Sequence, residues 1–170
     1  MPYTIALARA DELPLLPHIE TAATTLFEGI EAVMSLPLIN SELAEFEHAH
    51  AAGLLWVARS EDGRPVGFAL CERLGQDIHL EELDVHPMHG RQGLGRALVL
   101  EVCRHAAAQG RDVTLTTFRE VPWNQPFYET LGFREIAPAD VTPELAARIA
   151  EETAAGLPPQ MRTVMRRPQG

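Results

Sequence analysis

The sequence predicts an α/β fold: a mixed sheet of about seven strands flanked by helices. Three observations lead there. Residues 54–87 carry three consecutive strand patterns joined by tight turns. After them, helical and strand patterns alternate to the end of the chain. No repeat, low-complexity tract or long linker divides the 170 residues, so a single domain spanning 1–170 is expected.

The elements follow in order. Tyr3 to Arg9 alternates as a first strand. Asp11 offers an N-cap, and apolar residues at helical spacing run through Leu15, Ile19, Ala22, Ala23, Leu26 and Phe27. Gly29 to Asn40 reads as irregular and apolar. A second helix is expected from the cap Ser41, with Glu45 in its first turn, to Gly53. LLWVARS (54–60) and PVGFALCERL (65–74) flank Asp62-Gly63 as a hairpin, and DIHLEELDVHP (77–87) completes a meander. Leu94–Ala108 is a helix closed by Gly110, and DVTLTTF (112–118) is a strand. A short helix over 124–131, a strand in FREIAPA, a helix over 142–155 and a last strand in MRTVMRR complete the chain. The order β-α-α-β-β-β-α-β-α-β-α-β contains both hairpins and crossovers, which requires a mixed sheet.

Composition narrows the function. Fourteen basic residues stand against 24 acidic ones, a net charge of −10. That argues against nucleic acid as the main partner and is compatible with a cationic substrate such as an amine. No apolar run reaches the roughly 20 residues of a membrane span, and the N-terminus lacks a signal-peptide pattern. Cys71 and Cys103 read as free buried thiols in a reducing compartment, with the cytoplasm as the default location.

The segment HPMHGRQGLGRAL (86–98) sets three glycines and two arginines between a strand and a helix. Such a turn leaves backbone N–H groups unpaired at a helix N-terminus and forms an anion cradle suited to phosphate. The GxxGxG order, deep in the chain, does not fit the dinucleotide fingerprint, and no lysine completes an ATP-type loop. A tight left-handed turn without a ligand is the competing reading.

These residues resemble the GCN5-related N-acetyltransferases (GNAT). Leu83-Asp-Val85-His-Pro87 followed by Gly93-Leu94-Gly95 is similar to the family's acetyl-coenzyme-A motif, although the family's leading Arg/Gln falls at Gly90 and the arginine stands at Arg91. TTFREVPWNQPFYETLGF (116–133) is similar to the coenzyme-binding helix region. The resemblance spans about 78–134. It implies a sheet splayed between its fourth and fifth strands, acetyl-CoA as co-substrate and no metal.

It further implies that Leu83, Asp84 and Val85, together with Arg91, Gln92, Gly93, Leu94, Gly95 and Arg96, hold the coenzyme, largely through backbone groups. Asn124 would hydrogen-bond the coenzyme arm, or cap its helix. Tyr128, one helical turn on, would protonate the leaving thiolate or serve as a core aromatic. For the base, strict alternation places His79, Glu81, Leu83 and Val85 on one face of the fourth strand, which favours Glu81 with His79 second. Glu28 and Glu31 are candidates for holding a cationic substrate, and the apolar loop Val33–Ile39 for lining its pocket.

His86/His89 and His48/His50 lack the further ligands of a metal site. Trp123 is expected to pack the start of its helix. The reading is acetyl transfer to a primary amine by direct attack, since neither motif holds a cysteine or serine. The rival is a non-catalytic acyl-CoA sensor. A homodimer is a family-level expectation only.

Overall fold

A computed structural model describes residues 2–37 and 40–169. The chain opens with β1 (Thr4–Leu7) and a 3-10 turn (Ala10–Leu15) that runs into α1 (Leu16–Ala23) and a second 3-10 turn (Thr24–Phe27). Asp11 does not cap this helix. Pro14 lies inside the first 3-10 turn and Pro17 in the first turn of α1, so the missing proline N–H groups set where regular α-helix begins. A single helical turn, α2 (Glu31–Met34), occupies part of the segment expected to be irregular. Leu38 and Ile39 of the expected pocket loop lie outside the described residues.

α3 (Leu43–Ala52) ends at Gly53, whose φ of 70° is the left-handed conformation glycine adopts freely. Ser41 is not its cap: Glu42 occupies that position, and the Ser41 N–H donates to Glu20 Oε1 at 2.6 Å. The meander β2 (Leu55–Arg59), β3 (Pro65–Leu74) and β4 (Asp77–Val85) follows, then α4 (Leu94–Ala108), β5 (Val113–Phe118) and α5 (Asn124–Thr130). β6 shrinks to Arg134–Glu135, because Pro138 enters a 3-10 turn where a longer strand was expected. α6 (Pro143–Ala154), capped by the Thr142 side chain, and β7 (Arg162–Arg167) complete the chain.

The sheet order is β1-β2-β3-β4-β5-β7-β6. Every neighbouring pair is antiparallel except β4–β5. That parallel pair is short: only Ile78, His79 and Leu80 find partners, in Val113, Thr114 and Leu115. Beyond them β5 continues along β7 while β4 stays with β3, so the sheet forks.

Apolar residues cover both faces of the sheet. Leu98, Val102, Ala106, Phe133 and Met165 pack with Trp56, Ala69 and Leu80 on the α4 side. Leu16, Ile19 and Phe46 pack with Leu55, Val57, Phe68 and Leu70 on the α1–α3 side. No helix among the described residues is long and apolar enough to cross a membrane.

One irregularity decides which side chains reach the fork. Leu70 pairs with Glu82 while Cys71 pairs with Leu80, so Glu81 is the extra residue of a β-bulge. The bulge reverses the alternation of β4. Ile78 and Leu80 pack on the α4 side, and so do Leu83 and Val85. The expectation that His79 and Glu81 share a face with Leu83 and Val85 is therefore corrected.

Candidate active site

The glycine loop builds an anion cradle at the N-terminus of α4. The His86 ring accepts a hydrogen bond from the Met88 N–H at 3.1 Å, which starts a 3-10 turn over Pro87–His89. Arg91 then adopts φ 59° and Gly93 φ 76°. Gly93 sits at the helix boundary, where no side chain caps the exposed N–H groups. The first helical N–H to find an acceptor is that of Ala97, which donates to the Gly93 carbonyl at 3.0 Å. The N–H groups of Leu94, Gly95 and Arg96 are thus left for a ligand, at the positive end of a 15-residue helix.

From this cradle a groove of about 620 Å³ runs to the fork, lined by Val85, Pro87, Gly93, Gly95, Trp123 and Phe127 among others. On its other side the fork opens into a second chamber of about 240 Å³, lined by Glu20, Val33, Glu81, Glu82, Thr117 and Arg162 among others. Phe27, Leu83, Asp84, Asn124 and Tyr128 border both. Beyond Leu80, β4 has no partner on its β5 side, so backbone polar groups of that edge are free where groove and chamber meet.

The chamber is acidic where it meets the groove. Carboxylate oxygens of Glu20, Glu82 and Asp84 lie within 4.8 Å of one another. Burial raises the pKa of all three and so favours their neutral forms, and Asp84 is pushed up to about 7. Besides burial, the neighbouring Asp84 charge and a hydrogen bond between the two side chains raise Glu82, whereas that same bond favours the Asp84 anion. Glu82 therefore holds the shared proton and Asp84 the charge.

Tyr128 is held among Phe127 and Phe133, with ring centroids 5.0 and 5.7 Å away. Burial first, and then Glu82 and Asp84, push its hydroxyl well above the usual phenol range, so it stays protonated.

The two residues expected to supply a base differ in their surroundings. His79 is 1% exposed, borders neither cavity and hydrogen-bonds Thr114 Oγ1 through Nδ1 at 2.9 Å. Burial, together with Arg148 and Arg162, lowers its pKa to about 3. Glu81 does border the chamber, and burial raises it to about 7, but its carboxylate is bonded to Arg148. Arg148 also faces Glu72 at 3.6 Å and Glu152 at 4.0 Å. Arg162 pairs with Glu152 at 3.4 Å, donates to Thr116 Oγ1 at 2.5 Å and lies 4.7 Å over the Phe118 ring.

The remaining expectations divide. Asn124 is the first residue of α5, with Trp123 at the cap position, and it borders both cavities together with Tyr128. Arg91, Leu94 and Arg96 border the groove, whereas Gln92 is exposed and does not. Glu28 and Glu31 are exposed and border neither cavity. Trp123 is 48% exposed on the groove wall rather than packed under its helix. His89 accepts or donates a hydrogen bond with the Tyr3 hydroxyl at 3.0 Å, which ties the glycine loop to β1. Glu20 was legible only as a charge within the apolar stripe of its helix, four residues after Leu16 and three before Ala23.

The model of the acetyltransferase (GNAT) family matches residues 21–133. The chain belongs to the GNAT family. Over 88 residues, 51% of the GNAT chain described here, it is 36% identical to the mycothiol acetyltransferase of Nocardiopsis dassonvillei, and that match spans 27% of the relative's length.

Among solved structures, a GNAT acetyltransferase from Staphylococcus aureus Mu50 superimposes with a TM-score of 0.73 at 18% identity, covering 99% of both chains. The PaiA N-acetyltransferase of Thermoplasma acidophilum, determined in complex with coenzyme A, gives 0.71 at 16% identity, again over 99% of both chains. These likenesses establish the GNAT fold, with its mixed seven-stranded sheet flanked by helices.

Proposed function

We propose that this GNAT protein is an N-acetyltransferase that moves an acetyl group from acetyl-CoA to a primary amine by direct attack. One observation carries the reading. The groove that begins at the α4 cradle and the acidic chamber are two separate cavities that touch at Asp84, Asn124 and Tyr128. A donor and an acceptor entering from opposite sides would meet there. A non-catalytic acyl-CoA sensor needs only the groove and gives the chamber no part.

Acetyl-CoA supplies the acyl group as an activated thioester. The free N–H groups of Leu94, Gly95 and Arg96 suit its pyrophosphate, and Arg91 and Arg96 add positive charge at the rim. The unpaired edge of β4 at Leu83–Val85 suits its amide arm and offers donors to a developing oxyanion. Asn124 adds a side-chain amide at the junction.

Asp84, ionised and hydrogen-bonded by Glu82, takes a proton from the attacking amine. The base role moves to this pair because His79 is sealed off and Glu81 is engaged by Arg148. Tyr128 keeps its proton until the thiolate leaves and then donates it. Cys71 and Cys103 border neither cavity, and burial raises both thiols, so neither serves as an acyl carrier. A reducing compartment such as the cytoplasm suits these free thiols.

Calorimetric titration with acetyl-CoA tests the donor side, and thiol release in the presence of primary amines tests transfer. Saturable one-to-one binding with amine-dependent thiol release is expected. Binding without release by any amine overturns the enzyme in favour of the sensor.

A further inference from the structure

The chamber carries information about the acceptor. Glu20 comes from the middle of α1 and is 4% exposed. Its Oε1 is satisfied by the Ser41 N–H at 2.6 Å, which fixes the carboxylate in place. Its Oε2 is buried and has no hydrogen-bond partner, Asp84 Oδ2 is in the same condition, and both residues border the chamber. A carboxylate oxygen that has lost water and found no donor costs several kcal/mol in order of magnitude. None of Glu20, Glu82 and Asp84 forms an ion pair among the described residues. Two arginines stand near these acids and pair with other carboxylates: Arg148 with Glu81 and Glu72, and Arg162, in the chamber wall, with Glu152 besides its bond to Thr116, each keeping one buried Nε without a hydrogen-bond partner.

The chamber wall also carries an apolar stretch of Phe27, Val33, Pro37, Leu115, Phe118 and Leu157, beside the polar Asn40, Thr116, Thr117 and Arg162. Its volume of about 240 Å³ lies below the usual range of drug-sized pockets. Three donors on one charged head would satisfy the open oxygens, and an uncharged body would lie on the apolar wall. Burial holds Glu82 toward its protonated form, and a divalent ion would have to displace that proton, whereas an ammonium leaves it in place.

We infer that the acceptor is a small primary amine with an apolar aliphatic or aromatic body and no carboxylate beside the amine, whose ammonium head is seated on Glu20 and the Glu82–Asp84 pair. Glu20 is then a substrate-binding residue that selects the acceptor. A carboxylate beside the amine, as in an α-amino acid, would enter against three buried acids and weaken binding at the site. This deepens the acetyltransferase reading and rests on it.

The test reads binding apart from turnover. Phenethylamine, n-hexylamine and phenylalanine are titrated calorimetrically into the protein saturated with free coenzyme A, which permits no transfer. Saturable binding of phenethylamine or n-hexylamine is expected, with phenylalanine at least about tenfold weaker. Glu20→Gln should weaken the bound amine by about tenfold or more, the loss of one charge-assisted contact, while coenzyme A binds as before and reports an intact fold.

Binding of neither amine, phenylalanine binding as well as phenethylamine, or full amine affinity in Glu20→Gln each overturns the inference. The acetyltransferase reading fails differently: the amine binds as expected, yet no thiol is released when acetyl-CoA replaces coenzyme A.

Discussion

Glu82 and Asp84 stand on the same face of β4, and their carboxyl oxygens lie within 4.8 Å of each other and of Glu20. The arrangement exists because the bulge at Glu81 turns both residues away from α4 and toward Glu20 on α1. Burial lifts Asp84 to about 7, so the site changes charge near neutrality. Turnover with a primary amine should rise as pH passes through about 7, because only the Asp84 anion accepts a proton. Asp84→Asn should lower kcat by about 10²–10⁴-fold, the usual worth of a general base, and remove the rise. A pH–rate profile that keeps its limb near 7 in the variant would assign the base elsewhere.

The same pair costs stability at high pH. Burial raises Glu82 well above the ordinary carboxylate range, so the folded state holds its proton where the unfolded chain has lost it. The contribution is complete below the unfolded pKa of about 4.5 and is lost as pH climbs toward the folded value. His79 runs the other way, since its folded pKa of about 3 favours the folded state above the unfolded value of 6.5. Glu82→Gln removes the first effect and leaves the second. Its urea midpoint should match that of the wild type near pH 4 and exceed it at pH 8. A gap that stays constant with pH would mean that Glu82 is not a buried acid.

Tyr128 borders both cavities, and its hydroxyl is held protonated. Tyr128→Phe keeps the ring packing against Phe127 and Phe133 and removes only the acid. We expect kcat to fall by about 10²-fold, with the acetyl-CoA Kd within about twofold of wild type. Single-turnover and calorimetric measurements together separate the two quantities. An unchanged kcat with weakened coenzyme binding would make Tyr128 a packing residue.

Local signals made most of the fold legible. α4 runs over Leu94–Ala108 as its apolar spacing predicts, because Gly93 and Gly110 punctuate it in sequence. Asn124 and Tyr128 share a helix face by simple periodicity, and both reach the fork. The faces of β4 were not legible, because a bulge depends on how β3 pairs with β4 across the sheet and leaves no mark at Glu81 itself. That one residue turns Glu82 and Asp84 toward Glu20, and the proposed base moves with them. Glu20 was missed for a related reason: its meaning comes from Ser41 and β4, both distant in sequence.

Gly67 offers a test of how tightly the fork is set. It pairs with Val85 across β3 and β4, at the end of the strand that borders the groove. A Cβ there would lie 3.0 Å from the Asp84 carbonyl oxygen and 3.2 Å from Val85 Cγ2, closer than either can accept without moving. The backbone of β4 cannot retreat toward β5 without entering the groove. Gly67→Ala should therefore destabilise the protein by about 1–3 kcal/mol, the usual cost of overpacking, and weaken acetyl-CoA at the same time. Urea denaturation and calorimetry on one preparation measure both. Lost stability with unchanged coenzyme affinity would show that the strand end yields away from the groove, and that the cradle at α4 alone fixes the coenzyme.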